Sequence, residues 1–178
     1  MTKTEMKELF GRSVKTMPLF RMYLNYDANY RYGFPLKSSD KLFLCANEDD
    51  FILDGFSIRR FRDLNKLEIK NDKCRQIISA EGILNGLDAP DIDLTNWRSV
   101  FQSLQAYGKN IIIEHADKND GDWEFYIGKI VKVLKNKVVF SHFDADGVWV
   151  DEPYDIPYSY ITNVTFDCRY VTVFSKYV

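Results

Sequence analysis

The chain has 178 residues, 46% hydrophobic and 28% charged, a balance that excludes wholesale disorder and allows one core or two small ones. A net charge of −2 excludes a generally basic nucleic-acid binder. Thirteen Phe, eleven Tyr and three Trp point to strand-rich structure.

The opening MTKTEMKELF is charged and has no apolar run of signal-peptide length, and no later stretch approaches the roughly 20 apolar residues of a spanning helix. A cytoplasmic protein with no membrane partner is therefore expected. Met6, Leu9 and Phe10 fall on one side of a first helix within TEMKELFGRSV. Strands are expected near 19–24, 30–37, 41–46, 51–60 and 64–70. NDKCRQIISAEG then suggests a short helix ending near Gly82, followed by a linker containing Gly, Asp and Pro. Thr95 can cap a second long helix whose stripe is Trp97, Val100, Phe101 and Leu104 and whose stop is Gly108. Five more strands are expected near 110–115, 123–134, 137–143, 147–157 and 161–167, with YVTVFSKYV lengthening the last or adding an edge strand. The expected division is 1–70, a helical linker over 71–94, and 95–178.

The two halves are similar to each other. KLFLCANEDD (41–50) lies over KVVFSHFDAD (137–146), with matching apolar residues and an acidic turn closing both. Upstream, Gly33 faces Gly128; downstream, Leu64, Leu67 and Ile69 correspond to Ile161, Val164 and Phe166. An internal duplication of a helix and five strands accounts for the pattern.

A helix, five bent strands and a very short connection before the last strand resemble the Sm-like or SH3-like small barrel. Gly33 and Gly128 would permit the sharp bend that such a barrel needs in its second strand. Gly33, the acidic turn, LDGF (53–56) and IRRFRDL also look like uncharacterised bacterial proteins of Sm-like fold. The resemblance implies a mainly β protein with helices (α+β), built as two tandem five-stranded small barrels, each preceded by a helix. In the RNA-holding motif of Sm proteins the Arg falls on Arg60, but Phe61 stands where the motif has Gly and Arg59 where it has Ile; Pro157 and Tyr158 replace the Arg and Gly of the second copy.

The acidic stretch SHFDADGVW suggests a cation loop, with His142, Asp144 and Asp146 as candidates. Helix-loop-helix calcium spacing with Gly147 sixth puts His142 at the first ligand position and Pro153 at the twelfth, where a Glu is required. DKNDGDWE, with Gly121 sixth, fails the same test, and turn-forming Asp and Gly explain both segments. A metal site from Glu114, His115, His142 and Asp144 would need the second half to bring them together. Cys45, Cys74 and Cys168 lack any CxxC pairing and read as reduced thiols, and no cofactor is implied.

Two binding surfaces remain. Arg59, Arg60, Arg62 and Lys66 could contact phosphates while Phe61 stacks a base, the way small barrels grip single-stranded RNA or DNA. Tyr154, Tyr158 and Tyr160 in EPYDIPYSYI could form an aromatic surface for a protein. The expected function is a non-enzymatic binding or assembly module acting on itself as a homo-oligomer or on another protein, ahead of single-stranded RNA binding and of a small hydrolase.

Overall fold

In a computed structural model of the chain, residues 1–116 and 123–178 are described. The loop tested above as DKNDGDWE falls largely on 117–122, outside the described residues. The chain forms two compact units, Met1–Ala89 and Pro90–Val178.

In the first unit, helix α1 spans Lys3–Ser13 and opens with a capping box: the Glu5 amide donates to the Thr2 hydroxyl at 3.2 Å, and the Thr2 amide donates to the Glu5 carboxylate at 2.6 Å. Its buried stripe of Met6, Leu9 and Phe10 packs into a cluster with Phe20, Met22, Phe43, Phe61, Leu64 and Leu67. Phe10 stacks on Phe20 at 5.6 Å between ring centroids and meets Phe61 edge-on at 5.6 Å. The strands are β1 (Leu19–Leu24), β2 (Tyr30–Ser38), β3 (Leu42–Asp49), β4 (Ile52–Arg60) and β5 (Leu64–Lys70). All pair antiparallel in the order β5-β1-β2-β3-β4, and one short 3-10 turn, Phe61–Asp63, carries the chain from β4 to β5. Helix α2 (Lys73–Ala80) follows β5, capped by the Asp72 side chain.

The second unit begins with helix α3 (Trp97–Tyr107), which packs on β7 and β8 and stops at Gly108 in the left-handed region, φ 77°. Its N-cap is Asn96, accepting from the Ser99 amide at 3.1 Å, and not the expected Thr95, whose amide and hydroxyl are taken by Asp93 at 2.8 and 2.6 Å. Strands β6 (Ile111–Ala116), β7 (Trp123–Val133), β8 (Lys137–Phe143), β9 (Tyr154–Pro157) and β10 (Asn163–Phe166) pair antiparallel in the order β10-β6-β7-β8-β9.

Three expectations are corrected. The strands do not form two closed five-stranded barrels: among the described residues no ladder joins β4 to β5 or β9 to β10, so each unit carries an open antiparallel sheet. Register shifts fall in the second strand of each unit, between Pro35 and Lys37 in β2 and between Ile130 and Lys132 in β7, and not at Gly33 and Gly128; such a bulge can bend a strand. A bend does not compel the last strand to meet the first. Second, YVTVFSKYV is not a strand but contains helix α4 (Arg169–Phe174). Val171 and Phe174, three residues apart, dock on Ile112, Ile127 and Phe143, so packing overrides the β propensity of Val, Thr and Phe. Third, 147–157 yields only the four residues of β9, because Gly147, at φ 79°, and Asp144 close a turn before it. Among the described residues no helix is long and apolar enough to cross a membrane.

Candidate functional site

The candidate phosphate-contacting stretch 59–66 is divided by the fold. Phe61 is a core residue in contact with Phe10 and Phe43. Arg60 is buried in an ion pair with the equally buried Asp63. Arg59 is buried too, donating to the Ser57 hydroxyl, which in turn donates to Asn47 at 2.6 Å. Only Arg62 and Lys66 present exposed side chains, and Lys66 is held by Glu68 at 2.6 Å. Arg59, Arg60, Arg62, Lys66 and Phe61 therefore do not converge on one open groove, because alternate strand positions face opposite sides and the 3-10 turn drops Phe61 into the core.

The acidic turn SHFDADGVW is occupied by its own backbone. One Asp144 carboxylate oxygen accepts from the amides of Asp146 at 3.0 Å and Val148 at 2.9 Å. Glu114 and His115 are adjacent on β6 and so face opposite sides; Glu114 accepts from the Asn163 amide, whereas His115 stacks on Tyr160 with ring centroids 3.4 Å apart. Among the described residues no group of three or more His, Cys, Asp or Glu side chains could hold a metal ion.

The second unit gathers a cluster that the sequence did not disclose as one. Glu124 on β7 lies opposite His115 on β6 and accepts from both the Tyr126 and Tyr160 hydroxyls. These bonds hold its carboxyl below the usual range, and burial pushes the Tyr126 phenol well up. His142 lies edge-on to Tyr126 at 5.5 Å and against Tyr154 at 4.4 Å, and its buried Nδ1 has no hydrogen-bond partner among the described residues. Burial lowers the His142 pKa, partly opposed by the Asp144 charge. Of the predicted tyrosine surface, Tyr154 is exposed, Tyr158 stacks on Phe101 of α3 at 5.7 Å and donates to Leu134 O at 2.8 Å, and Tyr160 is fixed by Glu124 and His115. Carboxylate and hydroxyls satisfy one another, which makes a rigid aromatic face with Tyr154 at its open side.

Among the described residues, β5 of the first unit and β9 of the second each pair with a neighbouring strand on one side only. They differ chemically. The Tyr158 amide donates to Asn136 O at 3.1 Å, and with the β8–β9 register this aims Tyr154 and Ile156 at β8 and leaves Asp155 and Pro157 facing outward. Pro157 has no N–H, so the outward side of β9 offers a single donor, Asp155. β5 contains no proline. Lys3 from α1 donates to the carbonyls of Arg62 and Leu64, which covers the start of β5, and residues 66–70 lie beyond it. Ile69 on that stretch is 49% exposed, an apolar side chain on an open edge, and neighbouring Lys66 and Glu68 share the face of Arg21 and Tyr23. The sequence signal for this was available in the absence of Pro from LNKLEIK and its presence in EPYDIP, but which strands would end a sheet was not. No family model, no curated protein and no solved structure matches the chain.

Proposed function

We propose that the protein is a non-enzymatic assembly module that takes a further protein strand along the open side of β5. The observation carrying this is the contrast between β9 and β5: β9 has its outward donors reduced by Pro157, whereas β5, without proline, keeps every second amide of 66–70 on its outward side and carries Ile69 on one face and Lys66 and Glu68 on the other. A strand added there would gain main-chain hydrogen bonds from groups that otherwise face water, with Ile69 supplying apolar contact. Single-stranded RNA binding lacks equivalent support, since Arg59, Arg60 and Phe61 are buried.

Amide hydrogen exchange read by mass spectrometry tests the reading, first as protein concentration is raised and then with an added uncharged Thr-Val repeat peptide. Protection is expected to rise across 64–70 and to stay constant across 154–157. Unchanged exchange of 64–70 under both conditions would overturn it.

A further inference from the structure

Resting on that reading of the β5 edge, we infer that its partner is a second copy of this chain, joined β5 to β5 across a two-fold axis with Leu67 at the axis. Two antiparallel strands related by a two-fold perpendicular to their sheet keep each side chain on its original face, so residues directly opposite must face the same way. This permits only every second register. With Lys3 bound at the Leu64 carbonyl the open stretch is 66–70, and an axis at Leu67 overlaps 66–68 of the two copies.

Charge selects the same register. With Leu67 at the axis, Lys66 of each copy stands opposite Glu68 of the other, giving two attractive cross-strand pairs. Moving the axis to Lys66 opposes that lysine to its own copy. Moving it to Glu68 opposes the glutamate to its own copy and Lys66 to Lys70. An axis at Ile69 again joins opposite charges, Glu68 with Lys70, over 68–70. Lys70, however, is only 22% exposed and bound to Asp72 at 3.0 Å, whereas Lys66 is 60% exposed, so the Leu67 register sets the more open lysine against the glutamate. The side chains are placed for it: Lys66 and Glu68 are 60% and 32% exposed, lie 2.6 Å apart in one copy, and so bring donor and acceptor to the same strip of the edge. Lys3 at the start of β5 limits the shared ladder to its middle and later residues. The assembly is isologous, so it closes as a dimer and does not propagate into fibres.

The test uses the full chain and exploits the symmetry. Lys66→Glu puts Glu opposite Glu at both pairs, and Glu68→Lys puts Lys opposite Lys. Each variant alone is expected to dimerise about tenfold more weakly than the parent in sedimentation equilibrium. Mixed in equal amounts, they should recover dimers: the glutamate introduced in one variant then faces the lysine introduced in the other, and the unchanged Glu68 of the first faces the unchanged Lys66 of the second. Circular dichroism of each variant establishes that it is folded before its mass is read. Recovery on mixing supports the Leu67 register. A parent protein that stays monomeric at all concentrations, or single variants that dimerise as well as the parent, overturns the inference. If in either case 64–70 is still protected by the Thr-Val peptide, the open-edge function stands and only its partner and register are lost.

Discussion

His142 shows how one side chain can carry a pH dependence into the fold. Burial against Tyr126 and Tyr154 disfavours its charged form, so its folded pKa lies below the ordinary value near 6.5. Between the folded and unfolded values the unfolded chain binds more protons, so this contribution to stability is complete above about pH 6.5 and is lost as pH falls through the folded pKa. Thermal melts at pH 7.5 and pH 5.0 should therefore show the protein less stable at acid pH, with a smaller difference in His142→Gln. An equal difference in both proteins would assign the acid sensitivity elsewhere. The cysteines make a second test at this scale. Burial pushes the Cys45 thiol up to about 12 and Cys168 is buried, whereas Cys74 is exposed on α2. Native protein at pH 8 is expected to take up one equivalent of iodoacetamide at Cys74 and three only after denaturation, as read by intact mass.

At the scale of elements, the two glycines at matching places in the strand ladders are not equally constrained. Gly33 lies between Phe20 and Asn47, and a Cβ there would approach Ala46 O at 3.0 Å and the Met22 methyl at 3.1 Å; the methionine can move aside, and the carbonyl need shift by only a few tenths of an ångström. Gly128 lies between Ile111 and His142, and a Cβ there would overlap the Ser141 carbonyl and come to 2.7 Å from the His142 Cα, both backbone. Gly128→Ala is expected to destabilise by about 3 kcal/mol or more and Gly33→Ala by about 1 kcal/mol. Urea titration checks the order, and equal midpoints for the two variants would refute it. Both glycines were legible in the sequence from the alignment of the two halves; their inequality depends on how close the neighbouring strand comes. The helix at 169–174 was not legible, because Tyr-Val-Thr-Val-Phe has the propensity of a strand and only the apolar sheet face beneath it selects a helix.

At the scale of the whole molecule, the dimer inferred for β5 is held partly by exposed charge pairs, so its strength should fall with ionic strength. Sedimentation in rising sodium chloride is expected to weaken association in the parent and to strengthen it in Lys66→Glu, where the same positions repel. A parent dimer indifferent to salt would remove the Lys66–Glu68 pairs from the contact while leaving a main-chain ladder possible.

By itself the sequence determined the local order of this protein: nine of ten strands near their final places, the helices α1, α2 and α3, and the turn at 144–148. These follow from spacing, capping and turn chemistry, which act within a few residues. Only the tertiary structure decided that the strands stay open and do not close into barrels. It also decided that Arg59, Arg60 and Phe61 turn inward and that β5 and β9 become outer strands. Those outcomes depend on accumulated twist and on which edges meet, quantities set by contacts between residues far apart in the chain.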